Sequence, residues 1–135
     1  MLWLMPVVER VQQPWTQTRP GVKWQFITGG IAEDGDAPQP GLTMFYQEFE
    51  PGYGVPRHKH ELGDEIITIL EGEAETLMGQ QVSHVGPGAT LHIRQGTVHS
   101  FRNTGDGPLR VECVLSASLL KSEFFEDPQA IPAAY

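Results

Sequence analysis

Four residues, His58, His60, Glu65 and His99, have the types and spacing to hold a divalent metal ion. His58 and His60 stand at i and i+2, which on a β-strand puts both imidazoles on one face and Lys59 on the other. Glu65 follows the Leu62-Gly63-Asp64 break. His99 comes from a separate strand-turn unit more than thirty residues later, so the cluster exists only in the folded chain. Neutral imidazoles with a carboxylate suit Fe, Mn, Co, Ni, Cu or Zn, one divalent transition metal per chain, whereas an all-oxygen set would favour Ca or Mg. Such a metal, if it accepts more ligands than these, keeps open positions for water, substrate or O₂, which catalysis requires; Zn closes more readily at four.

The elements that must position these side chains read as strands. Fifteen glycines and eleven prolines punctuate short runs rich in Val, Ile, Phe, Trp and Thr, the pattern of an all-β sandwich or barrel. Strands are expected over 22–28, 42–49, 66–70, 73–78, 81–85, 90–93, 98–102 and 109–115, with a loop over 34–41. Gly79-Gln80, glycine first, suits a type II′ hairpin turn. Residues 66–70 are apolar on both faces, as in a strand covered on both sides, and would anchor Glu65 by burial. Leu109, Val111, Cys113 and Leu115 alternate as a buried strand, which makes the only cysteine a small core residue. Three segments follow: an N-terminal extension over 1–40, a barrel over 41–116 and a tail over 117–135. The extension carries Trp3, Trp15 and Trp24 and is expected to add strands to a sheet edge or to cross to a second subunit. In the tail, Leu119, Leu120, Phe124 and Phe125 form a short apolar face, read as a helical turn or two, or as extended chain, before Pro128.

Glycines around the cluster extend the pattern. Gly52, five residues, His58-Lys59-His60, four residues, Glu65, six residues and Gly72 form a string that resembles the first cupin motif. Gly88, five residues, Arg94, one residue, Gly96, two residues, His99, three residues and Asn103 resemble the second, with Arg94 where the family usually has proline. Nine of ten fixed positions are met in order over roughly 41–116. The resemblance implies a single-domain cupin β-barrel or jelly roll with a metal near its axis, held by His58, His60, Glu65 and His99. The Arg94 departure bears on the turn before His99 and leaves the ligand set intact.

At 135 residues, 39% apolar and 19% charged, the chain is sized for one globular domain. A net charge of −8 disfavours nucleic acid as a partner. The apolar start through Val8 is too short to span a bilayer and lacks the marks of a signal peptide, so a cytoplasmic protein without membrane contact is expected. The expected partners are a small organic ligand or substrate in the barrel, lined by Ile67, Ile69 and Tyr46 or Phe45, and a second copy of the chain in a homodimer.

Cupin resemblance points first to a metal-dependent oxygenase of the dioxygenase type, with Glu65 as a ligand able to loosen and act as base. A redox-neutral isomerase, lyase or cyclase is the alternative, with His92 or Tyr46 as proton shuttle, and a non-catalytic small-ligand module is the third reading. His84 and His92 lie outside both motifs and have ordinary explanations as strand residues. A lumen-facing His92 would be a proton carrier near the metal.

Overall fold

The computed structural model describes residues 7–132. Its strands are β1 (Thr16–Arg19), β2 (Val22–Thr28), β3 (Thr43–Phe49), β4 (Gly54–Lys59), β5 (Glu65–Glu71), β6 (Ala74–Met78), β7 (Gln81–Val85), β8 (Thr90–Ile93), β9 (His99–Asn103), β10 (Leu109–Leu115) and β11 (Glu123–Phe124). A 3₁₀ turn at Arg10–Gln12 is the helical structure among the described residues. The strands form two antiparallel sheets of order β1-β2-β3-β10-β5-β8 and β11-β4-β9-β6-β7, the two layers of a jelly roll. No described helix is long and apolar enough to cross a membrane.

Alternation decides what each sheet turns inward. Along β3, Thr43, Phe45, Gln47 and Phe49 are buried, and along β10 so are Leu109, Val111, Cys113 and Leu115. Strand register puts Phe26, Phe45, Cys113, Ile67 and Leu91 in one inward layer, and Trp24, Gln47, Val111 and Ile69 in the next. Phe49 and Phe101 meet edge to face from opposite sheets, centroids 5.1 Å apart, and tie the layers together. Gly79 has φ +62°, as the first position of a II′ turn requires, and joins β6 to β7.

Three expectations resolve differently or more narrowly. Ile66 and Leu70 are 44% and 42% exposed, so β5 is covered on its inner face alone. The tail is extended, not helical: Leu120 bridges Ile31, and β11 pairs with β4. The backbone of β4 would otherwise be a free sheet edge, and pairing with it satisfies more donors and acceptors than an isolated helical turn would. In the N-terminal segment, the β1–β2 hairpin extends the larger sheet, Trp24 faces the interior, and Trp15 lies at the surface under the Lys23 ammonium. Trp3 lies outside the described residues.

Candidate metal centre

Each member of the cluster stands at or next to a strand terminus. His58 is the penultimate residue of β4, His60 follows its end, Glu65 begins β5 and His99 begins β9. His58 and His99 are paired across β4 and β9. One ligand atom from each of the four residues lies within 4.8 Å of the others, and every one of these residues is buried.

Backbone carbonyls fix the rings. The Nδ1 atoms of His58, His60 and His99 lie 2.7, 3.1 and 2.8 Å from the carbonyl oxygens of Pro56, Lys121 and Thr97. A carbonyl only accepts, so each Nδ1 carries the proton and each Nε2 keeps its lone pair for the cluster. The Nε2 atoms of His60 and His99 approach Glu65 Oε1 at 3.3 Å, yet both are buried without a hydrogen-bond partner. Buried polar atoms are rarely left this way, and a cation among the four donors would satisfy both. The residues present therefore fit a divalent metal.

Electrostatics agree with that use. Burial, reinforced by His99 and His60, pushes His58 down to about 3, so its ring is neutral. Burial works to raise Glu65, but His60 and His99 outweigh it and hold the carboxyl down at about 2. For His60, burial pulls downward while the Glu65 carboxylate wins and raises it.

The loops on either side of the cluster are stitched to one another. The Gly96 amide donates to the His60 carbonyl at 2.8 Å, and the Gln95 amide donates to Asp64 Oδ1 at 2.9 Å. The Thr97 amide closes a turn onto the Arg94 carbonyl, with Gly96 at φ +80° in the position where a type II turn calls for glycine. Arg94 thus opens a closed turn without proline, its side chain in solvent. Asp64, held below the ordinary carboxylate range by the Gln95 amide and then by His92, anchors the loop that delivers Glu65.

Two predicted shuttles are misplaced for that role. His92 lies on the outer face of β8, 55% exposed, its Nε2 3.0 Å from Asp64 Oδ2. Its neighbours Leu91 and Ile93 take the inward positions. Tyr46 also faces outward, donating its hydroxyl to Glu112 Oε2 at 2.9 Å beneath the Arg10 guanidinium. Neither lines the cavity beside the cluster. His84 is at the surface, 3.5 Å from Glu75.

That cavity has a volume of about 440 Å³. Phe45, Val55, Ile67 and Phe101 make its apolar wall, while Glu33 and Asp34, both exposed, stand at its mouth. Of the expected lining, Phe45 and Ile67 are there, and Ile69 belongs to the layer beyond. Residues that the sequence reading missed also contribute. Phe124 stacks on His58, centroids 5.2 Å apart, and Arg19 and Gln47 bring polar groups to the wall. Gln47 was recoverable as a polar residue in an inward alternation; Arg19 carried no local signal.

Comparison with known proteins is consistent with this architecture. A family model described as a cupin domain matches residues 45–116. The HTH-type transcriptional regulator PuuR of Escherichia coli (strain K12) is 37% identical over 88 residues, which cover 64% of this chain and 46% of PuuR. The chain spans about half the length of the curated relatives it matches. Among solved structures, the polyketide cyclase RemF from Streptomyces resistomycificus superposes with a TM-score of 0.67 at 21% identity, covering 93% of this chain and 90% of RemF. The DMSP lyase DddQ from Ruegeria pomeroyi DSS-3 superposes with a TM-score of 0.63 at 25% identity, over 87% of this chain and 63% of DddQ.

Proposed function

The chain belongs to the cupin family, and from that membership and the buried donor set we propose that it is a divalent-metal-dependent enzyme acting on a small organic molecule in the barrel, with dioxygenase-type oxygenase chemistry. The observation that carries the reading is the pair of orphaned Nε2 atoms of His60 and His99, within 3.3 Å of a buried carboxylate oxygen at the wall of a cavity of about 440 Å³. His58, His60, Glu65 and His99 would hold the ion. Bound there, Fe, Mn, Co, Ni or Cu supplies Lewis acidity toward a substrate oxygen and one-electron chemistry with O₂.

The chain's own residues do the rest. Carbonyls of Pro56, Lys121 and Thr97 hold three imidazoles in the donor tautomer. Phe45, Val55, Ile67 and Phe101 bind an apolar body and keep water from it. With Tyr46 and His92 on the outer faces, a redox-neutral reaction would have to move its proton through a group inside the cavity, where Glu65 stands.

Anaerobic purification with Fe(II), followed by O₂ uptake on catechols, flavonols and β-diketones, tests the proposal. Substrate-dependent O₂ consumption is expected. Turnover under argon would replace the oxygenase with an isomerase, lyase or cyclase. A ligand-sensing module is a second reading, favoured by the likeness to PuuR, a protein named as a transcriptional regulator. Tight ligand retention through purification with no turnover would select it.

A further inference from the structure

Arg19 is a charge without a counter-charge. Its Nη1 donates to the Pro128 carbonyl and its Nη2 to the Gly54 carbonyl at 2.8 Å, which ties the end of β1 to β4 and to the tail. No described carboxylate lies within ion-pair distance of it. The other partly buried cations among the described residues are all paired: Lys23 with Glu48, Lys59 with Glu61 and Glu123, Arg102 with Glu75. In a chain with seventeen acidic and nine basic residues, an unpaired and partly buried guanidinium is unexpected. Two carbonyls use only part of its planar donor fork, and the fork matches a carboxylate bidentately. Burial also lowers the Arg19 pKa, the mark of a cation short of compensation.

Its location supplies the ligand's outline. Arg19 lines the same cavity as His58, His60 and Glu65. Gly54, its carbonyl partner, and His58 are four residues apart on β4, a span of at most roughly 13 Å because the strand is irregular between Val55 and His58. Between the two ends lies the apolar wall of Val55, Phe101, Phe45 and Ile67. The buried Gln47 amide also faces the cavity; its described contact is the Cys113 thiol at 3.8 Å from Oε1.

We propose that the cavity takes an organic acid with an apolar body, its carboxylate on Arg19 and an oxygen function at its far end toward the histidine cluster. The proposal rests on reading the cavity as a substrate site and adds the substrate's charge and polarity. Glu33, Asp34 and Lys121 are the other charged groups of the wall besides Glu65, and the two acids at the mouth oppose anion entry. Arg19 therefore acts within the cavity, at contact range, rather than by long-range attraction.

The probe is para-hydroxyphenylpropanoate, compared with its neutral amide, titrated into the 135-residue chain with and without metal and followed through the Trp24 indole ¹⁵N–¹H resonance. In the metal-free protein a carboxylate has no metal to bind, so discrimination there reports Arg19 and not the cluster. Wild type should bind the acid roughly tenfold more tightly than the amide, as a charge-assisted pair warrants. Arg19→Gln should abolish the preference and Arg19→Lys should keep part of it. Equal affinities in wild type, a preference undiminished in Arg19→Gln, or no binding of either probe at millimolar concentration would overturn the proposal. Should Arg19→Gln fail to fold, the wild-type comparison and Arg19→Lys still decide it. Metal content by elemental analysis is read separately, so loss of the metal reading and loss of the acid preference are distinct outcomes.

Discussion

At the cluster, each imidazole has one nitrogen engaged by a backbone carbonyl and the other aimed at its neighbours, so removing a ring removes a ligand while the strand that carried it keeps its ladder. His58→Ala, His60→Ala and His99→Ala should each lose most of the bound metal with an unchanged far-UV circular dichroism spectrum. Stoichiometric metal in those variants, by elemental analysis, would refute the ligand set. Glu65→Gln should lose less, because an amide oxygen still coordinates weakly; metal content equal to wild type would exclude Glu65 as a ligand. These four residues were legible because strand parity and motif spacing both select them. Tyr46 was not, since Phe45 and Tyr46 put an aromatic ring on each face of β3 and local pattern cannot say which turns inward. His92 was decidable after all: Leu91 and Ile93 claim the inward positions and leave it outside.

At the scale of elements, the tail is part of the candidate metal site. The Lys121 carbonyl accepts from His60 Nδ1, Ser122 Oγ lies 3.3 Å from the same atom, and Phe124 stacks on His58. Truncation after residue 120 should therefore weaken metal binding by roughly ten- to a hundredfold, the usual effect of losing a partner that orients a ligand. Competition against a chelator measures it, and unchanged affinity would show that His60 needs no such support. The hairpin at Gly79-Gln80 was readable because glycine at the first turn position is a local requirement. The tail was not, because its conformation is set by the free edge of β4, more than sixty residues away in sequence. Hydrophobic pattern alone cannot separate a short helical turn from a two-residue strand.

Across the whole molecule, the two inward layers of Phe45, Cys113 and Ile67, and of Trp24, Gln47, Val111 and Ile69, do not pass through the cluster, so the metal-free chain should stay folded. Its stability should depend on pH. His58 sits at about 3 in the folded chain against its usual 6.5, so the unfolded state binds more protons between those values and stability falls on acidification through that window. Glu65, at about 2 against its usual 4.5, contributes stability above 4.5 that is lost as pH falls toward 2. His60, raised, works the other way: its contribution is full below 6.5 and fades as pH rises through its folded value. The larger displacements of His58 and Glu65 dominate. The urea midpoint of metal-free protein should therefore drop steadily as pH falls from about 6.5 toward 4, and a flat profile would contradict the neutral, buried His58. Phe49→Ala, at a fully buried position between the sheets, should cost about 3–5 kcal/mol in the same assay.

Glu33 and Asp34 give the cavity entrance a negative potential in a chain that is already anionic. Traffic through it is then sorted by sign: divalent cations are drawn in faster than neutral diffusion allows, and organic anions are slowed. Ionic strength should weaken both trends. Added salt will lower the bimolecular rate of metal capture and raise that of an anionic ligand, so ion loading is fastest in dilute buffer, where delivery of an acid is slowest.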